Sequence, residues 1–210
     1  THVVRIDTSI PRVTGVPMEP RTALAVHEPE SGKTTLYAGG GGISRPQMDL
    51  AHMLGVEPAK IRVVAKDVGG NFGTRNRVFV EFGLVLWAAR KFGRPVKFTA
   101  TRSESFLSDY QGRDLVTKVE LALARDGRFL AMRATTVASI GAYLQTGMPA
   151  FTGNIGTLAG VYRIPAMHAD VTAVFTHTNP VRPYRGNGRP EAAYVIERLV
   201  DLAADELGID

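Results

Sequence analysis

The chain has 210 residues, 44% hydrophobic and 21% charged, and its 25 basic against 20 acidic residues give a net charge of +5. This is the composition of an ordinary globular protein with a sizeable core, and the scattered Lys and Arg exclude a basic nucleic-acid tail. No cysteine occurs, which excludes a disulfide framework, a cysteine-ligated zinc and an iron–sulfur cluster held by this chain, and no apolar run approaches the ~20 residues of a membrane span.

No charged-then-apolar leader opens the chain, so a soluble cytoplasmic protein is the default expectation. Thr1 is not a start methionine and Asp210 directly follows a helical pattern. The expectation is a piece of something longer.

In chain order, residues 1–21 carry Pro11, Pro17 and Pro20 and predict an extended, irregular lead-in. Glu19-Pro20-Arg21 reads as a solvated turn. Ala23–Val26 and Thr34–Tyr37 flank a turn cluster and predict a hairpin. Gly39–Gly42 leads into a helix starting near Pro46, with Met48, Leu50, Ala51, Met53 and Leu54 as its apolar face and Gly55 as its stop. Ile61–Ala65 reads as a strand, and Lys66–Asn76 as a glycine-rich turn ahead of a helix over Val78–Phe92. That helix is apolar all round, which predicts burial on more than one face.

Val96–Ala100 alternates as a strand, and residues 102–105 and 109–112 read as loops. Arg113–Leu123 and Phe129–Ile140 form a hairpin about Asp126-Gly127. Gly141–Gly160 is glycine-rich and lacks a clear period, so it reads as a loop or a short helix over a cavity. Ala169–Thr176 is a strand. Residues 179–190 form a third glycine-containing loop before a long amphipathic helix over Glu191–Leu207, where Pro190, Glu191 and Gly208 supply start, dipole partner and stop.

Three glycine loops, 39–42, 69–73 and 186–188, therefore each precede a helix. Such loops aim backbone N–H groups at anions, and Arg185 and Arg189 are suited to phosphate. Neither of the first two is a Walker A or a Gly-x-Gly-x-x-Gly motif. A plain strand-to-helix connection remains an equal reading of the spacing alone. Three loops in one chain nevertheless favour convergence on one large anionic ligand.

Asp67-Val68-Gly69-Gly70-Asn71-Phe72-Gly73 resembles the Gly-Gly-x-Phe-Gly loop of the molybdenum hydroxylases, which include xanthine and aldehyde oxidases and the large subunit of aerobic carbon monoxide dehydrogenase. Pro183–Ala192, with Arg185-Gly186-Asn187-Gly188, is similar to the family's second signature. Residues 93–97, Asp126-Gly127 and Ile196–Leu199 also look like the family, in the right order across nearly the whole chain. The resemblance is closest to bacterial large subunits of the carbon monoxide dehydrogenase-like branch.

The resemblance implies a molybdopterin cofactor with molybdenum, in bacteria commonly the cytosine dinucleotide form. It implies that Gly40, Gly41, Gly69, Gly70, Asn71, Phe72 and Gly73, together with Arg185, Gly186, Asn187 and Gly188, bind that cofactor, and that Asn76 and Asn187 lie near substrate. The metal would be held by the cofactor, with no protein ligand. The family's catalytic glutamate, a general base, belongs to a later domain, so no catalytic residue is expected in this chain, and the chain alone should be inactive. Iron–sulfur and FAD subunits, the remainder of the large subunit and a small-molecule substrate are the implied partners; no nucleic acid is.

Departures narrow the substrate. Gly41 stands where many members carry a glutamine, Gly186 where carbon monoxide dehydrogenases carry a cysteine, Asn76 near an acidic residue of purine hydroxylases, and Asn187 at their ring-stacking phenylalanine. These changes argue against carbon monoxide and purines and leave an aldehyde or heterocycle hydroxylated with water as oxygen source. The expected fold is α+β, mixed sheets with packed helices over residues 1–210 as a first molybdopterin-binding domain, with two α+β subdomains and a boundary near residue 95 or 140 left open. The alternatives are a stand-alone cofactor-binding or scaffold module without activity and an unrelated nucleotide-binding module.

Overall fold

The computed structural model describes residues 1–144 and 155–209. Its main elements are β1 (His2–Ile10), β2 (Thr22–Glu28), β3 (Lys33–Ala38), α1 (Ser44–Leu54), β4 (Ile61–Val64), α2 (Val80–Phe92), β5 (Val96–Thr99), α3 (Arg102–Ser108), β6 (Leu115–Leu123), β7 (Phe129–Gly141), β8 (Ala166–Phe175) and α4 (Arg189–Leu207). They divide into two compact units, Thr14–Asp109 and Thr1–Val13 joined by Tyr110–Asp210. Each has a mixed sheet, so the α+β expectation holds.

The contiguous unit has the strand order β4-β3-β2-β5. β2 and β3 form the expected hairpin, with Ala23 opposite Ala38 and Glu28 opposite Lys33. β4 runs parallel to β3 and β5 antiparallel to β2. α2 packs on this sheet, and Leu36, Leu50 and Leu86 are fully buried. Each such side chain contributes roughly 1.5–3 kcal/mol on leaving water. Gly55 and Gly93 end α1 and α2 in the left-handed conformation, which glycine adopts without a Cβ clash.

Two expectations fail in this unit. α2 is not buried all round: Phe82, Val85, Leu86 and Ala89 are buried, while Val80, Leu84 and Trp87 are 70%, 57% and 50% exposed. A helix laid on one sheet covers one stripe, and the i, i+4, i+7 stripe opposite points outward. Residues 102–105, read as a loop, belong to α3 (Arg102–Ser108). Thr101 Oγ1 accepts from Glu104 N–H while the Glu104 carboxylate accepts from Thr101 N–H, a capping box. These bonds, the backbone one foremost, hold the Glu104 carboxyl below its usual range.

The other unit has the strand order β1-β6-β7-β8. β6 and β7 are the expected hairpin, and β8 runs parallel to β7. Leu115, Thr117, Val119, Leu121 and Leu123 point inward along β6 with period two. α4 lays Val195, Ile196, Leu199 and Ala203 on the sheet against Val4, Val119, Leu121 and Met132. Residues 2–10 are not the irregular lead-in that was expected. They form β1, antiparallel to β6 from His2 opposite Leu123 to Ile10 opposite Leu115, with Val4 and Thr8 buried. Their period-two alternation was outweighed by the prolines that follow. Within the Gly141–Gly160 stretch, residues 145–154 lie outside the described residues.

Candidate functional site

Gly40, Gly41, Gly69, Gly70, Asn71, Phe72, Gly73 and Asn76 all belong to the contiguous unit, and its fold brings the first two glycine loops together. A Cβ on Gly40 would lie 3.3 Å from the Arg75 carbonyl oxygen, and one on Gly41 would run into Asn76 Oδ1 and lie 2.8 Å from Asn71 Nδ2. The 39–42 loop is thus laid directly on the loop after β4, at a distance that only absent side chains permit.

Within that second loop, Phe72 is in the left-handed region at φ 54°, between Gly70 at 119° and Gly73 at 96°. A bulky residue there is strained by roughly 1–2 kcal/mol, so surrounding contacts must hold it. Asn71 Oδ1 accepts from Gly73 N–H at 2.7 Å and the Thr74 hydroxyl donates to the Asn71 carbonyl at 3.2 Å. A Cβ on Gly70 would meet Pro17 at 3.0 Å and the Phe72 ring at 3.1 Å. Asn71 Nδ2 is buried and has no hydrogen-bond partner.

Glu19 and Arg21, expected in a solvated turn, are what pin the loop. Gly69 N–H donates to Glu19 Oε2 at 2.7 Å and Glu19 N–H returns a bond to the Gly69 carbonyl at 3.1 Å. Arg75 donates to the Glu19 carbonyl and, at 2.9 Å, to Asp109 Oδ2. Arg21 donates to Asp109 Oδ1, to Glu81 Oε1 at 2.8 Å and to Ser108 Oγ at 2.8 Å, and its guanidinium lies 4.3 Å from the Phe79 ring centroid. Arg21, Arg75 and Asp109 are buried. Charges survive burial only when paired in this way. Sequence reasoning missed this hub, since its members are far apart in the chain and share no local pattern.

Arg185, Gly186, Asn187 and Gly188 form the corresponding loop of the other unit. Gly186, Asn187 and Gly188 are successively left-handed, at φ 86°, 51° and 92°. A Cβ on Gly186 would lie 2.5 Å from the Pro190 ring. Asn187 N–H donates to the Tyr184 carbonyl at 2.9 Å, and α4 begins as Ala192 N–H reaches the Gly188 carbonyl at 3.0 Å.

Arg113 organises this loop. It donates to the Tyr184 carbonyl at 3.1 Å, the Arg185 carbonyl at 2.9 Å and Glu191 Oε1 at 2.9 Å, and stacks 4.9 Å from the Tyr184 ring centroid. Glu191, expected as a dipole partner, lies in the first turn of α4 and is also a buried half of this ion pair. Arg113 and Asp114 are themselves left-handed, at 67° and 74°. Arg12 holds Asp114 Oδ2 through two bonds, of 2.6 and 3.1 Å. A cavity of about 50 Å³ beneath the start of α4 is lined in part by Thr117, Thr136, Asp170, Gly188 and Glu191.

In the contiguous unit, the site is a pair of glycine loops packed closely on each other and on the 17–19 segment, with one orphaned amide donor and no metal-ligating cluster among the described residues. Such a surface suits a large ligand that brings its own metal and is gripped by neutral and backbone donors.

A family described as the molybdopterin cofactor-binding domain matches residues 1–210. The 6-hydroxypseudooxynicotine dehydrogenase complex subunit gamma of Paenarthrobacter nicotinovorans is 37% identical over 99% of this chain and 26% of that protein. The carbon monoxide dehydrogenase large chain of Hydrogenophaga pseudoflava is 32% identical over 95% of this chain and 25% of that protein. Among solved structures, quinoline 2-oxidoreductase from Pseudomonas putida 86 superposes with a TM-score of 0.93 at 32% identity over all of this chain and 27% of that one. Aldehyde oxidoreductase from Desulfovibrio gigas does so with a TM-score of 0.93 at 26% identity, over all of this chain and 23% of that one. The chain spans about a quarter of the length of these relatives.

Proposed function

We propose, from the premise that this chain belongs to the molybdopterin cofactor-binding domains of the molybdenum hydroxylase family, that it holds the cofactor within the large subunit of an oxidoreductase. The substrate class is an aldehyde or heterocycle hydroxylated with water as oxygen source. Relatives named for quinoline and aldehyde oxidation support this class. The observation that carries the reading is the close packing of the 39–42 and 69–73 glycine loops on each other, with the unpaired Asn71 amide between them.

The residues present fit such a group. When bound, it supplies two-electron redox chemistry at molybdenum. The chain's own part is to bind and orient it. Gly40, Gly41, Gly69, Gly70 and Gly73 let backbone approach closely. Phe72, locked in its left-handed turn, walls the site and excludes water. Arg185 contributes charge, and Gly186, Asn187 and Gly188 an ordered turn at the start of α4. Asn76 and Asn187 are the residues we assign to contact with the substrate. The cytosine dinucleotide form, iron–sulfur and FAD subunits as electron acceptors, the remainder of the large subunit with the catalytic glutamate, and a cytoplasmic location complete the proposal.

Molybdenum and pterin are quantified in the full-length complex with Phe72→Ala and Arg185→Ala. Both variants are expected to lose metal content and turnover. Unchanged content and turnover in both would remove the assigned roles.

A further inference from the structure

Glu191 has more bonding capacity than its pairing with Arg113 uses. Its side chain is 8% exposed, and Oε1 accepts from the Arg113 guanidinium at 2.9 Å. The second oxygen, Oε2, is buried with no hydrogen-bond partner among the described residues. A buried carboxylate oxygen left without a donor destabilises a fold.

The cavity beneath the start of α4 holds a spare donor. Thr117 on β6 stands directly opposite Thr136 on β7, and their hydroxyl oxygens are 2.9 Å apart. Two hydroxyls carry two protons and their mutual bond uses one, so the pair keeps one to donate. Thr117 is buried, out of reach of bulk solvent. Thr117, Thr136 and Glu191 line the same cavity, of about 50 Å³, and a water molecule needs roughly 10–15 Å³ of such space. The apolar side chains of Leu115, Ala134, Leu158 and Val195 wall it further and offer no competing polar group. A cation fits poorly here, because Arg113 already neutralises Glu191 and the start of a helix is itself positive.

We propose that ordered water in this cavity accepts the spare hydrogen bond of the Thr117–Thr136 pair and donates to Glu191 Oε2. Thr117 and Thr136 are thereby positioning residues. They hold Glu191, Glu191 holds Arg113, and Arg113 holds the carbonyls of Tyr184 and Arg185. Resting on the cofactor-binding reading above, this chain of bonds keeps the Arg185–Gly188 loop in the form that binds the cofactor.

The test uses the full-length complex, with amide exchange over residues 184–188 and molybdenum and pterin content measured together. Thr117→Val/Thr136→Val keeps the shape of both side chains and removes both hydroxyls. Thr117→Ser/Thr136→Ser keeps both hydroxyls and removes both methyls. Either single Val variant leaves one hydroxyl for the water and should stay near wild type. The Val pair should exchange the Asn187 amide about tenfold faster and hold about tenfold less molybdenum and pterin, while the Ser pair should stay close to wild type in both. Equal damage from the two pairs would show that packing is what counts and would overturn the proposal, as would a Val pair indistinguishable from wild type. A crystal structure of the wild-type complex, which depends on no variant folding, should show water bonded to Glu191 Oε2; a side chain or a metal ion bonded there instead would also overturn the proposal. A wild-type complex without molybdenum or pterin would overturn the cofactor-binding reading and leave the exchange and crystallographic outcomes to decide on the water.

Discussion

The loop around Phe72 and the loop around Asn187 use one local device and two different braces. In each, a residue with a side chain sits in the left-handed region between glycines just ahead of a helix, Phe72 at φ 54° before α2 and Asn187 at 51° before α4. Asparagine tolerates that region far better than phenylalanine. The Asn187 loop is held by one arginine, Arg113, reaching two carbonyls and Glu191. The Phe72 loop, carrying more strain, is tied to a buried hub in which Asp109 answers two arginines. Bracing thus scales with the strain it must hold.

The sharpest way to break the comparison is at Asp109. Asp109→Ala removes the one carboxylate that Arg21 and Arg75 share, leaving Arg21 to Glu81 and Ser108 and Arg75 to the Glu19 carbonyl, and should cost the contiguous unit roughly 3–5 kcal/mol, read by denaturant melting. Hydrogen exchange should show the Phe72 loop opening with it. A loss below about 1 kcal/mol would mean that the hub does not brace the loop.

The matching change in the other unit is smaller. Glu191→Ala should cost about 1.5–3 kcal/mol, because Arg113 keeps its two carbonyl acceptors. Arg113→Lys should cost no less than this, since an ammonium cannot bridge three acceptors as the planar fork does. An effect on Glu191→Ala larger than on Asp109→Ala would reverse the ranking.

The smallest effect lies at α3, the short helix that ends at Asp109. The Thr101 bonds lower the folded-state value for Glu104 from 4.5. Its contribution is therefore present above the unfolded value and lost as pH falls through the lower, folded one. An NMR titration should place the Glu104 midpoint below that of an unfolded reference peptide. A midpoint at or above the reference would show the capping box to be open in solution.

Periodic and turn-bounded elements were legible. The β6–β7 hairpin followed from alternation about Asp126-Gly127, and α1 and α4 from their apolar spacing and their Gly55 and Gly208 stops, although Met48 and Met53 of the expected α1 face are exposed. The two signature loops and the family were legible through the resemblance they carry. β1 was hidden because its alternation precedes three prolines. α3 was hidden although Thr101 and Glu104 spell a capping box, because the helix is only seven residues long. The Arg21–Asp109–Arg75 hub leaves no local trace: 88 and 34 residues separate its pairs, and a lone arginine in a turn reads as solvated. Nor does hydropathy show which side of α2 meets the sheet.

The interruption of one sheet by a whole compact unit governs the order of events at the ribosome. Thr14–Asp109 is one unbroken stretch and can collapse as soon as it clears the exit tunnel. β1 has been synthesised by then but has no partner, because Leu115–Leu123 has yet to emerge. Closing so long a loop is slow, although its entropic cost grows only with the logarithm of its length. Early collapse of the intervening stretch brings the ends of that loop closer and shortens the search. β1 therefore waits as an unpaired edge until Leu115–Leu123 has emerged behind the intervening unit.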